Sequence, residues 1–241
     1  MRLITFEHMG KPRIGVVQGE KVIDLHQVAP HIPSDLKSIL TAGISMHTIG
    51  AEIENADDDC IYDMQDITLL PVIPNPEKII CVGRNYVAHA LEGGAEPPTY
   101  PEIFMRTPQS LIAHNAPIIR PKVSDKLDYE CEIAMIIGKK AHCVTVKNAL
   151  DFVAGYSLFN DATVRDYQRK STQWSMGKNF DNTGAFGPEF ISADALPDGV
   201  HGLQIQTRLN GKVMQNANTK DFIFSIAELI EILTEDRKSV V

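Results

Sequence analysis

Short β-prone runs open the chain at Arg2–Phe6, Arg13–Val17 and Lys21–Leu25, separated by Gly10-Lys11-Pro12 and Gly19-Glu20. That pattern predicts a meander. Helical stretches follow near Leu36–Thr41 and His47–Asn55. Prolines at positions 71, 74 and 76 then fix φ and interrupt ladders, which reads as a connector over residues 71–77. Lys78–Val82 is a nearly continuous apolar run, as in a buried strand. Further strands are expected at Tyr129–Ile137 and Ala154–Phe159. Leu203–Leu209 alternates and runs into Asn210-Gly211, a type I′ hairpin signal, with Lys212–Gln215 returning. Ser225 and Glu228 have capping-box spacing ahead of the helical pattern Ile226–Leu233. The expected class is β-rich α+β: a small N-terminal α+β module (1–70), the connector, and a larger unit (78–241).

Composition narrows the functions. With 241 residues, 44% hydrophobic and 22% charged, the chain has the make-up of a globular protein. A net charge of -8 without a basic stripe argues against nucleic acid and anionic membranes as partners. Any anionic substrate must then meet a few placed cations. No apolar run approaches the roughly 20 residues of a membrane span. Cys60, Cys81, Cys131 and Cys143 form no C-x-x-C pair, and no signal peptide opens the chain, so reduced thiols in the cytoplasm are expected.

The chemistry concentrates around Glu130 and Glu132. Side chains alternate along a strand, so these two carboxylates share a face, with Cα atoms roughly 6.5 Å apart. The face is either solvated or the wall of a cavity. The apolar continuation Met135-Ile136-Ile137, which implies cover on both faces, favours the cavity. Two carboxylates at that spacing can converge on one cation. Asp161, at the end of the next strand, either completes an all-oxygen site or caps a helix. His89 and Glu92, at i and i+3 on a helical turn, are either a surface pair or a dyad able to activate water. Gly93-Gly94 beyond them suits the hinge of a lid. His114, His142 and His201 have no patterned partner, and Trp174 reads as a packing residue.

Several blocks then occur in order: Gly83-x-Asn85-Tyr86-x-x-His89-x-x-Glu92, Glu130-x-Glu132, Asn160-Asp161-x-Thr163-x-Arg165-Asp166-x-Gln168, Trp174-x-x-x-Lys178 and Gly187-Pro188. From about residue 72 to about residue 235 the chain resembles the fumarylacetoacetate hydrolase family. The likeness is strongest to bacterial members labelled 2-hydroxyhepta-2,4-diene-1,7-dioate or 5-carboxymethyl-2-hydroxymuconate isomerases, enzymes of aromatic catabolism. The resemblance implies that family's β-rich folded sheet, a homodimer, and Mg²⁺, with Mn²⁺ or Ca²⁺ as alternatives, on Glu130, Glu132 and Asp161. It implies that Lys178 reaches the oxygens of a bound 2-oxo or dicarboxylic acid, that His89 and Glu92 form a water-activating dyad on a lid, with Glu92 orienting the imidazole, and that Arg165 and Gln168 lie near the substrate carboxylate. Arg165 could equally be a partner of the acids. Arg106 stands where many members have lysine; it is expected at the substrate with altered geometry. The implied reaction is hydrolysis of a C–C bond in an acylpyruvate-like acid through a stabilised enolate. Isomerisation, decarboxylation and hydration on the same fold are alternatives, as is a non-catalytic homologue.

The family's later Thr-Gly-Thr-Pro turn and closing strands have no counterpart here. Asp236-Arg237-Lys238-Ser239-Val240-Val241 is also the translation of a sequencing-adapter string, GATCGGAAGAGCGTCGTG. The expectation is a C-terminally truncated chain, less stable than a full-length relative and impaired in catalysis.

Overall fold

The computed structural model describes residues 1–92 and 96–235, apart from the side chains of His89, Ala90 and Glu92. Strands β1 (Arg2–His8), β2 (Lys11–Gln18) and β3 (Lys21–Asp24) form the expected meander, extended by β4 (Ile61–Asp63) and β5 (Thr68–Leu69). The third strand stops one residue short of the expected run. Asp24, wholly buried, accepts from His26 N at 2.9 Å and so starts helix α1 (Leu25–Val28). Helices α2 (Leu36–Thr41) and α3 (Met46–Ile53) are capped by Asp35 and Ser45 and bury Leu36, Ile39, Ile49 and Ile53.

The later elements are β6 (Ile79–Gly83), α4 (Val87–Glu92), β7 (Glu102–Arg106), β8 (Leu111–Ile112), β9 (Leu127–Asp128), β10 (Cys131–Ile137) and β11 (Val153–Asp161). After them come β12 (Thr163–Val164), α5 (Arg165–Gln168), α6 (Ser175–Lys178), β13 (Gly184–Phe186), β14 (Phe190–Ser192), β15 (Gln204–Leu209), β16 (Lys212–Asn218) and α7 (Ile226–Thr234). The expected capping box on α7 is complete, and Asn210 and Gly211 both take positive φ between β15 and β16.

The main sheet runs β4-β3-β2-β1-β14-β11-β13-β8, with β10 also on β11 and β5 also on β1. All its pairings are antiparallel except β13 with β8. Residues 1–70 join the later strands through β1 and β14, and Leu3, Ile14 and Ile39 share one core with Ile136, Phe159 and Phe190. A second core packs α7 through Ile226 and Ile230 onto Ala141, Val144 and Ala149. Each of the buried Val, Leu, Ile and Phe side chains contributes about 1.5–3 kcal/mol. The chain thus adopts the expected β-rich α+β class, a folded mixed sheet with few helices, and carries Glu132 and Asp161 on the paired strands β10 and β11.

Candidate active site

Glu132 lies on β10 and Asp161 ends β11, the neighbouring strand. Glu130 sits just outside β10. Its N–H donates to the Asn160 side chain at 3.0 Å, and its carbonyl accepts from Asp161 N at 2.8 Å. All three acids line one cavity of about 1400 Å³ with Arg165, Gln168 and Lys178. Much of the remaining wall is apolar, including Ile79, Ile133, Ile136 and Leu229.

Lys178, 2% exposed, ties two of the acids together. Its Nζ donates to Glu130 Oε2 at 2.5 Å and to Asp161 Oδ2 at 2.6 Å. Close packing of α5 and α6 carries it there: a Cβ on Gly177 would stand 2.5 Å from Gln168 N. Arg165 Nη1 donates to Glu130 Oε1 and, at 3.2 Å, to Gln168 Oε1, while its Nε reaches Asp128 Oδ2 at 2.9 Å. Arg165 is thus a partner of the acids and also part of the cavity wall.

Arg106 departs from expectation. It does not line the cavity; it is 2% exposed and donates to Asp161 Oδ1 at 2.5 Å. Alternation on β7 explains this, because Phe104 and Arg106 turn inward while Ile103 and Met105 face out. The side chains of His89 and Glu92, with Gly93-Gly94, lie outside the described residues, as does Asp236–Val241. Trp174 packs edge-on against Phe104 and beneath Arg84, and also borders the cavity.

Glu132 has no hydrogen bond or ion pair among the described residues, and it faces the cavity. Burial, then the charges of Glu130 and Asp161, push its carboxyl up to about 8, with Lys178 opposing. Burial also works to raise Glu130, but Lys178 and Arg165 outweigh it and hold that carboxyl below its ordinary value. For Asp161 burial prevails over Lys178 and Arg106, and the shift is upward.

Among the described residues, no three His, Cys, Asp or Glu side chains stand arranged around a metal position, and the Lys178 ammonium lies between Glu130 and Asp161. The donor chemistry nevertheless fits a hard divalent cation: three carboxylates, oxygen only, one of them without a partner. A carboxylate oxygen that accepts one hydrogen bond keeps lone pairs for a cation.

The fumarylacetoacetate (FAA) hydrolase C-terminal family matches residues 78–238. This chain belongs to the fumarylacetoacetate hydrolase family. Within it, "Oxaloacetate tautomerase fahd2, mitochondrial" of Xenopus laevis is 37% identical over 237 residues, covering 95% of this chain and 73% of that protein. A maleylpyruvate hydrolase from Sphingobium sp. SYK-6, solved with manganese (II) ion and pyruvate, superposes with a TM-score of 0.80 at 25% identity, covering 97% of this chain and 83% of that one. A 5-carboxymethyl-2-hydroxymuconate delta-isomerase from Mycobacterium smegmatis gives 0.77 at 25%, covering 100% and 84%. Fumarylacetoacetate hydrolase family members are enzymes, and divalent-metal binding belongs to the family. No helix among the described residues is long and apolar enough to cross a membrane.

Sequence reasoning passed over Ser110 and Thr183, which are wholly buried beside Arg106. Only an inward reading of Arg106 would have pointed to them.

Proposed function

We propose that this chain is a divalent-cation-dependent enzyme that interconverts the keto and enol forms of a 2-oxo dicarboxylic acid such as oxaloacetate. The carrying observation is Lys178 clamped between Glu130 and Asp161 beside the unpaired Glu132, all on one cavity wall. Charge counting supports the substrate class. Before a metal enters, the carboxylates of Asp128, Glu130 and Asp161 balance Arg106, Arg165 and Lys178, while Glu132 holds its proton. A divalent ion that displaces this proton leaves the site net positive, which an anionic substrate offsets.

Glu130, Glu132 and Asp161 would hold that ion: Mg²⁺, with Mn²⁺ or Ca²⁺ as alternatives. When bound it supplies Lewis acidity toward the 2-oxo oxygen. Lys178 Nζ holds negative charge on the substrate oxygens. Arg165 and Gln168 orient the carboxylate that reaches them. His89 with Glu92 moves the proton at the carbon next to the 2-oxo group.

A second reading, hydrolysis of an acylpyruvate C–C bond, draws on the same His89–Glu92 pair acting on water and on the likeness to the maleylpyruvate hydrolase. The homodimer and the cytoplasmic placement belong to the same proposal, and light scattering tests the first of these. The deciding assay follows decay of enol-oxaloacetate absorbance with Mg²⁺, with Mn²⁺ and with EDTA, alongside pyruvate release from an acylpyruvate. A metal-dependent acceleration lost in Lys178→Met is the expected result. Pyruvate release without any tautomerase activity moves the assignment to hydrolysis. Neither activity in a folded, metal-loaded protein overturns both readings.

A further inference from the structure

We infer that Arg106 is a positioning residue for Asp161, and that this chain reserves a socket for an arginine fork at that place. The inference rests on the reading of Asp161 as a metal ligand and goes beyond it.

All three guanidinium nitrogens are engaged. Nε donates to Ser110 Oγ at 3.2 Å, Nη1 to Asp161 Oδ1 at 2.5 Å and Ala162 O at 3.3 Å, and Nη2 to Thr183 Oγ1 at 2.9 Å. Arginine only donates, so each hydroxyl it meets must pass its own proton on. Both do: Ser110 Oγ donates to Thr107 O at 2.8 Å, and Thr183 Oγ1 to Phe180 O at 2.6 Å. Each guanidinium nitrogen and each hydroxyl thus has an acceptor, and a buried polar cluster satisfied in this way fixes geometry. The Phe159 ring lies 5.5 Å beneath the guanidinium carbon.

Space is reserved as well. A Cβ on Gly184 would come within 2.9 Å of Arg106 Nη2 and 2.8 Å of Phe159 Cζ. The missing side chain is what admits the fork. A lysine at 106 would keep the charge but could not reach Ser110, Thr183 and Asp161 together.

The consequence falls on Asp161. Its Oδ1 is fastened to the protein frame, and its Oδ2 is left toward Lys178 and the cavity. With one oxygen held, the carboxylate cannot rotate out of the position from which it would meet a cation. A charged side chain in this role touches no substrate, and its removal acts through the acid it holds.

The test measures Mn²⁺ affinity by titration calorimetry, KM and kcat for oxaloacetate, and melting temperature in the parent, Arg106→Lys and Thr183→Val. Expected is a loss of Mn²⁺ affinity of about 10–100-fold in Arg106→Lys, the range for groups that orient metal ligands. Thr183→Val should show a smaller loss in the same direction, and with saturating Mn²⁺ the KM should stay close to the parent's. A raised KM with unchanged Mn²⁺ affinity would mean direct substrate contact and overturn the inference. A lowered melting temperature with unchanged Mn²⁺ affinity and kcat would reduce Arg106 to a structural residue. If Arg106→Lys does not fold, Thr183→Val alone decides by the same criteria. A parent that binds no Mn²⁺ overturns the metal reading and this inference with it; variants that bind like a binding parent overturn the inference alone.

Discussion

Replacing Glu132 by glutamine keeps the side chain's shape and removes its ability to ionise. In the metal-free protein the native carboxyl holds its proton up to about 8, against an ordinary 4.5. As pH rises from 4.5 toward 8, the unfolded chain releases this proton and the folded chain does not. The folded state therefore binds more protons across that window, and stability falls with rising pH. Integrated to pH 7 at about 1.4 kcal/mol per pH unit, the loss is about 3 kcal/mol. Glu132→Gln escapes it. For a chain of this size that corresponds to roughly 6–12 °C in melting temperature. Thermal melts in EDTA from about pH 5 to pH 8 should show wild type and variant converging at the acid end and separating at neutrality, the variant higher. Excess Mg²⁺ should raise the wild type at neutral pH and leave the variant nearly unmoved. Parallel curves, with no pH-dependent gap, would refute an unpaired buried carboxylate at Glu132.

Lys178→Met should lower turnover by about 100-fold or more, since it removes the donor nearest the acids, and steady-state kinetics with saturating Mg²⁺ checks this. Gly177→Ala places a methyl 2.5 Å from Gln168 N, so α5 and α6 must separate; a stability loss of about 1–3 kcal/mol in denaturant melts, with reduced kcat, is expected. Ile230→Ala empties a position 2% exposed between α7 and the 141–149 segment and should cost about 2–5 kcal/mol in the same melts, with KM unchanged in the fraction that folds.

Long elements with a clear period were legible in the sequence. Strands β10 and β11, the β15–β16 hairpin with its Asn-Gly turn, and the capped helix α7 fall within a few residues of where alternation, turn chemistry and capping put them. Two- and three-residue strands such as β8, β13 and β14 are too short to carry a period, and β14 finds β1 across almost the whole chain, so neither leaves a local signal.

The acids were legible for a reason that holds even though β10 begins at Cys131 rather than Tyr129. The Asn160 side chain takes the Glu130 N–H in place of a ladder bond, and both glutamates still line the cavity. Arg106 was expected at the substrate through the family resemblance, and hydrophobicity along β7 gives no hint of the partners it meets. Ile103 and Met105, 40% and 42% exposed, are the residues a burial rule would turn inward, and the charged arginine is the one it would turn out. Phe104 and Arg106 turn inward together, and there the guanidinium meets Asp161, Ser110 and Thr183 at once. That pairing depends on groups 4, 55 and 77 residues away in the chain, and no local pattern encodes it. A charge flanked by apolar residues on a short strand is thus ambiguous until its partners are found. Here the partners tie the strand's direction and the orientation of Asp161 together, so the inward face of β7 and the geometry of the acid site are one feature rather than two.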